Sequence, residues 1–191
     1  LQPSSPDRTL FDYDGDGRTD VGVVGLSDSP GTADFRILRS SDGTIQTADF
    51  GTADDVPVAA DFDGDGKTDI AVFRPGSGEW WIMRSSDAAV TAERFGISGD
   101  IRLPDDRDGD GKADIAIFRP NGSGGAEWWV RRSTNGQVFA TQFGLSTDLT
   151  VPGDYTGDGK TDIAFWRPSN GNWFVLRSED FSFFAFPFGA N

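Results

Sequence analysis

One nine-residue run, met four times, limits what this chain can become. It is clearest at Asp61-Phe62-Asp63-Gly64-Asp65-Gly66-Lys67-Thr68-Asp69, where four carboxylates alternate with small or flexible residues. A helix cannot use such a run, because side chains at i and i+2 do not meet on a helix surface. A tight loop can, since the aspartates at positions 1, 3, 5 and 9 then converge on one point. Gly64 and Gly66 supply the positive φ angles that such a turn requires. Carboxylates brought this close repel one another unless a cation lies between them. Oxygen ligands alone select a hard cation, and a flexible cage of about six to eight oxygens suits Ca²⁺ better than Mg²⁺. The backbone carbonyl of Lys67, at position 7, is placed as a further ligand.

The other copies start at Asp12, Asp106 and Asp154, so the run recurs every 45–49 residues. The candidate ligands are Asp12, Asp14, Asp16 and Asp20 with the carbonyl of Arg18, and Asp61, Asp63, Asp65 and Asp69 with that of Lys67. They continue with Asp106, Asp108, Asp110 and Asp114 with the carbonyl of Lys112, and Asp154, Asp158 and Asp162 with that of Lys160. In the fourth loop Thr156 stands where the others have their third-position aspartate. Asp/Gly hairpin turns without a metal are the plainer reading of one such run. Fourfold recurrence favours the metal.

The 191 residues contain neither Cys nor His. That excludes the Ser-His-Asp triad, the cysteine nucleophile, His-based metalloenzymes and zinc fingers together. Disulfides are excluded as well. The net charge is −14, and fifteen aspartates sit at loop ligand positions. Four Ca²⁺ would bring this to about −6, so most of the acidity is metal-site charge. The acidity also disfavours nucleic acid or an anionic membrane as partner. There are only four glutamates, Glu79, Glu93, Glu127 and Glu179, and most aspartates are already assigned. A hydrolase needs two free carboxylates facing one cleft, and no such pair stands out. No stretch is apolar enough for membrane insertion. The chain begins at Leu1 without a visible leader and reads as a processed or excised piece.

No helical period is present, and short alternating segments are separated by turn residues. Residues 1–9 read as a lead-in, and a short strand around Leu10-Phe11 feeds the first loop. The second repeat is the sharpest. Strand A at 56–60 leads into the metal loop, strand B at 70–74 out of it, strand C covers 79–84 and strand D runs from about Val90 to Phe95-Gly96. In the third repeat strand C is expected to start at Trp128, leaving a long B–C loop over 120–126. Four strands in 45–49 residues is the size of a propeller blade.

These units resemble the FG-GAP repeats, also called VCBS repeats, of the integrin α-subunit head and of many secreted bacterial proteins. The resemblance rests on the metal loops, on Phe-Gly at 50–51, 95–96, 143–144 and 188–189, and on the Ala-Val-Phe-Arg-Pro run at 71–75. It implies an all-β fold, a β-propeller of four four-stranded antiparallel blades, either closed or part of a larger or multi-chain ring. The expected blades are 10–51, 52–96, 97–144 and 145–189 within a single repeat domain. It also implies Ca²⁺ in each A–B loop, three to four ions in all, with occupancy of the Thr156 loop in doubt.

The paired aromatics Trp80-Trp81 and Trp128-Trp129 read as core packing, since neighbours on a strand face opposite ways; a sugar-stacking platform is the sharper alternative. Arg74, Arg119 and Arg167 each precede a proline, and Asp55, Asp100 and Asp148 each lie five residues past the Phe of a Phe-Gly. A repeated Arg–Asp bridge is the plainer reading and an anion site around the pore the sharper one. Asn121-Gly122-Ser123 fits a glycosylation sequon. The expected function is a non-catalytic, calcium-binding adhesion module that binds a glycan or protein, with self-association or attachment to a secreted polysaccharide-active enzyme as alternatives. Its expected place is extracellular or at the cell surface, or in the periplasm, where Ca²⁺ is plentiful.

Overall fold

The computed structural model describes residues 11–26, 32–122 and 124–189. The lead-in, Leu10 of the first strand A, residues 27–31 of the following loop and Ser123 of the sequon lie outside the described residues. The chain parts into two compact units, Leu1–Ser98 and Gly99–Asn191.

The first unit holds two antiparallel sheets. One is β1 (Val21–Leu26), β2 (Thr32–Leu38) and β3 (Ile45–Thr52) in that order. The other is β4 (Val56–Ala60), β5 (Asp69–Arg74), β6 (Glu79–Met83) and β7 (Val90–Arg94). The second unit holds β8 (Ile101–Arg102), β9 (Ile115–Pro120), β10 (Gly125–Arg131) and β11 (Val138–Leu145), then β12 (Leu149–Thr150), β13 (Ile163–Arg167), β14 (Asn172–Leu176) and β15 (Phe183–Pro187). Each sheet is a meander of neighbouring strands, which is the build of a propeller blade. The all-β, four-repeat expectation is met, with three sheets of four strands and one of three among the described residues.

One expectation needs correction. Strand C of the third repeat starts at Gly125, three residues before Trp128, because Ala126 pairs with Pro120 and extends the ladder. Four residues therefore separate β9 from β10, as at 75–78 and 168–171, and the long B–C loop disappears. Strands A of the third and fourth repeats shrink to two residues, β8 and β12. Pro104 and Pro152 lie just past them and lack the N–H that a ladder needs.

Period-two alternation decides what is buried. Strand β10 alternates along its whole length, and Trp80 and Trp128 are fully buried while Trp81 and Trp129 are only half-buried. Trp80 meets Phe73 edge-on at 5.6 Å and Trp128 meets Phe118 at 5.1 Å. The two sheets of each unit share a core. In the first it is Phe35, Ile37, Ile70 and Val72. In the second it is Phe118, Ala126, Trp128, Ile163 and Leu176.

The Phe-Gly pairs end each strand D for a physical reason. The indole N–H of the first aromatic in each pair donates to the Phe carbonyl, buried Trp80 to Phe95 at 2.7 Å, buried Trp128 to Phe143 at 2.8 Å and half-buried Trp173 to Phe188 at 2.9 Å. The following glycine turns at φ 105° in Gly144 and 89° in Gly51. A methyl on Gly144 would lie 3.1 Å from Phe165 and 3.2 Å from Asp148 Oδ2 of the next repeat. Gly144→Ala should therefore cost about 2–4 kcal/mol in a thermal or urea melt, from backbone strain plus overpacking. Trp128→Phe removes the latch and leaves a cavity in a fully buried site, and should cost about 2–3 kcal/mol. The first repeat already carries Phe35 at the corresponding place.

Candidate metal centre

Each loop is built first by its own position-1 aspartate. Asp61 Oδ1 accepts from the Gly64 N–H at 2.6 Å and Oδ2 from Gly66 at 3.0 Å. Asp12 does the same with Gly15 and Gly17, Asp106 with Gly109 and Gly111, and Asp154 with Gly157 and Gly159. The alternating glycines are thus the donors that fold the run around its first carboxylate.

The position-9 aspartate clips the loop to the C–D turn. Asp69 Oδ2 accepts from the Phe62 N–H at 2.8 Å and Oδ1 from Ser85 at 2.7 Å. Asp20, Asp114 and Asp162 repeat both bonds, with Ser40, Ser133 and Ser178 supplying the N–H from the turn. All four are buried. These serines were not foreseen as part of the site. Their signal is the recurring Arg-Ser pair at 39–40, 84–85, 132–133 and 177–178. Their hydroxyls also hold position 5: Ser40 donates to Asp16, Ser85 to Asp65, Ser133 to Asp110 and Ser178 to Asp158. The next turn residue holds position 3, with Ser41 on Asp14, Ser86 on Asp63 and Thr134 on Asp108, each at 2.6 Å. Metal loop and C–D turn therefore lie together at one end of each repeat.

Carboxylate oxygens gather within 4.8 Å of one another in three sets: Asp12, Asp14 and Asp20; Asp61, Asp63 and Asp69; Asp106, Asp108 and Asp110. Among the described residues the fourth loop forms no such set. There the pattern is exchanged. Thr156 occupies position 3, and Glu179 stands in the turn where the others have Ser or Thr. The position-7 residues pack sideways as well. Lys67 lays its stem over Gly15, where a Cβ would come within 2.8 Å of Lys67 Cε, and Lys160 lies likewise over Gly109. The Thr68 N–H donates to the Asp12 carbonyl at 2.6 Å and Thr161 to Asp106 at 2.7 Å, so the two loops within each unit are joined.

The electrostatics fit a cation. Burial, reinforced by Asp63, pushes the Asp69 carboxyl up to about 6 even against the bonds from Ser85 and Phe62. Burial and then Asp108 raise Asp114 in the same way. Asp108 Oδ1 is buried without a hydrogen-bond partner, an acceptor left facing the cluster. Crowded, desolvated carboxylates with an orphaned oxygen and no nitrogen or sulfur donor suit a hard divalent ion.

A protein-family model described as FG-GAP-like repeat matches residues 12–72 and 106–165, and a second, FG-GAP repeat, matches 55–92. The chain belongs to the FG-GAP repeat family. Neither a curated protein nor a solved structure matches it. FG-GAP repeats are typically non-catalytic binding modules. The matches to the FG-GAP-like model open on the first aspartate of a loop and close on strand B of the following repeat.

At the opposite end of the second, third and fourth FG-GAP repeats the expected Arg–Asp bridges are present. Arg74 forks onto Asp55 at 3.0 and 2.9 Å, Arg119 onto Asp100 at 2.7 and 2.7 Å, and Arg167 onto Asp148 at 2.9 and 2.8 Å. Burial presses Asp55 upward, but Arg74 and the Thr52 N–H together hold its carboxyl below the usual range. Each arginine also caps the second aromatic of its repeat, Arg74 over Trp81 at 5.0 Å, Arg119 over Trp129 at 5.5 Å and Arg167 over Phe174 at 4.6 Å. Glu79 accepts the Trp81 indole N–H at 3.2 Å and Glu127 that of Trp129 at 2.9 Å. Where the aromatic is Phe174 and has no N–H, the corresponding residue is Asn172. In the second and third repeats the aromatic pair is therefore one core residue and one half-buried, arginine-capped residue, and in the fourth both Trp173 and Phe174 are half-buried.

Proposed function

We propose that this FG-GAP chain is an extracellular, Ca²⁺-stabilised β-propeller module, non-catalytic, that binds a glycan or protein in an adhesive role. Its blades form a ring of four or part of a larger one. The observation that carries this reading is the gathering of oxygen-only carboxylates in three loops that repeat one architecture. In these loops the position-1, 3 and 5 aspartates, and the position-9 aspartate where it joins the set, would hold the ion. The ion supplies positive charge that locks loop to turn. Low-affinity acidic loops of this kind suit the millimolar Ca²⁺ outside cells. Within each unit, binding falls at the end away from the metal, around 75–79 and 97–98 in the first and 99–102 and 120–127 in the second. Half-buried Trp81 and Trp129, capped by Arg74 and Arg119 and edged by Glu79 and Glu127, give that end partly exposed aromatic rings beside charged hydrogen-bonding groups.

A glycan array probed in Ca²⁺ tests this. Binding should fall at least tenfold with Trp129→Ala and persist with Ser86→Ala at the metal end. A ligand insensitive to Trp81 and Trp129 but lost with Ser86→Ala would overturn the assignment. A scaffold role is the second reading, supported by exposed Val21 and Val23 on β1 and by Phe183 and Phe188 at the last strand. Solution mass across concentration decides it, and a monomer throughout excludes that role.

A further inference from the structure

Position 2 of the metal loop carries an aromatic in three repeats, Tyr13, Phe62 and Tyr155, and an arginine in the third. In the first unit Tyr13 packs against the shared apolar core. At the corresponding place in the second unit Arg107 is only 7% exposed, and Nε and both Nη atoms have no hydrogen-bond partner. The Trp128 ring lies 5.5 Å from the guanidinium carbon. A desolvated guanidinium without acceptors is among the costliest groups to leave in a core. Asp105, Asp114 and Asp162 act on it electrostatically but do not hydrogen-bond its nitrogens. Asp114 and Asp162 give their oxygens to backbone N–H groups.

Arg107 faces a small cavity of about 30 Å³ between the third and fourth sheets. Two more arginines line it, Arg132 and Arg177, together with Thr161 and Ser178, over a floor of Ile163 and Leu176. Arg132 lies over Phe139 at 5.6 Å, and Arg177 over Phe184 at 5.1 Å, with Nη1 donating to Ser182 Oγ at 3.0 Å. Aromatic faces hold both guanidiniums without using up their N–H groups. Space for roughly two water-sized groups admits two oxygens of an oxyanion whose others face the open side, but no sugar ring.

We propose that Arg107, Arg132 and Arg177 form a binding site for a single tetrahedral oxyanion group of the sulfate or phosphate type. Planar guanidiniums present paired donors that match such oxygens, and the anion supplies the acceptors that Arg107 lacks. The site is separate from the carboxylate clusters and does not depend on which ligand the other end of the module takes.

The test is thermal melting and calorimetric titration of the full chain at fixed Ca²⁺ and fixed ionic strength. The probes are sodium sulfate and glucose 6-sulfate, with sodium chloride and glucose as references. Sulfate should raise the melting temperature above chloride, and Arg107→Tyr, which installs the residue used at positions 13 and 155, should weaken its binding about tenfold or more. Arg132→Met, at a half-buried position, should weaken it by a smaller factor and covers the case in which Arg107→Tyr fails to fold. Response to sulfate alone assigns a free ion, and response to glucose 6-sulfate assigns an ester terminus. Sulfate excluded from protein surfaces stabilises any fold. An equal response in wild type and both variants, or no response beyond chloride, overturns the site.

Discussion

Removing divalent cations should lower the melting temperature of this protein strongly, and Ca²⁺ should restore it. Each cluster holds three carboxylates within 4.8 Å. The ion binds this folded arrangement far better than the unfolded chain, so its binding free energy adds to stability. For an extracellular site with Kd of about 10⁻⁴–10⁻³ M, Ca²⁺ at ten times Kd contributes roughly 1.4 kcal/mol. Three independent sites then give about 4 kcal/mol, a large share of an ordinary domain's stability. Asp63→Ala should abolish one site's share. Asp158→Ala should matter less, because the fourth loop has Thr156 at position 3. Melts in chelator, Ca²⁺ and Mg²⁺ check this, and three superimposable curves would show the loops to be ordinary turns.

The same clusters fix the sign of the pH response, which should reverse with metal. In the metal-free protein Asp69 titrates at about 6, above its ordinary value of 3.8. A carboxyl raised on folding contributes fully below its unfolded pKa, and that contribution is lost as pH climbs through the folded value. Asp114 shifts in the same direction. Metal-free protein should therefore melt higher at pH 4.5 than at pH 7. Asp55, held below the usual range, opposes this only at lower pH still. Ca²⁺-loaded protein should do the opposite, since protons displace the ion. Parallel melts of dialysed and Ca²⁺-loaded protein from pH 4.5 to 7.5 should converge at the acid end.

Cutting a buried bridge should be nearly as damaging. Arg119→Ala leaves the Asp100 carboxylate, with 0% side-chain exposure, without its forked partner. Removing one partner of a buried pair costs about 3–5 kcal/mol. Arg119→Lys keeps the charge but loses the fork and the stacking on Trp129, and should fall between. Replacing both partners, as Arg119→Met with Asp100→Leu, should cost less than Arg119→Ala. Arg84 and Asp87 make an ion pair at 2.7 Å with side chains 39% and 51% exposed. Arg84→Ala should change stability by under about 1 kcal/mol, because water screens the pair. Urea titrations of the four variants check the order. A cost for Arg119→Ala no greater than for Arg84→Ala would show the bridge to be ornamental.

Much of this protein is written locally in its sequence. The Asp/Gly runs can only be tight loops, because their glycines must turn left-handed and donate to the first aspartate. Period-two alternation fixed which residue of Trp80-Trp81 and Trp128-Trp129 goes inside. Arg74, Arg119 and Arg167 reached the aspartates expected of them, because each joins two ends of one meander at constant separation. What depends on distant segments was not legible. The turn serines that clip each loop lie 16–20 residues past the aspartate they bond, and only the folded hairpin brings them together. The start of β10 was set by a cross-strand partner, Pro120 for Ala126, and not by the residues of the strand itself. Arg107 reads in the sequence as one more polar residue in a loop. Only the packing of the fourth sheet against the third buries it and leaves its guanidinium without an acceptor.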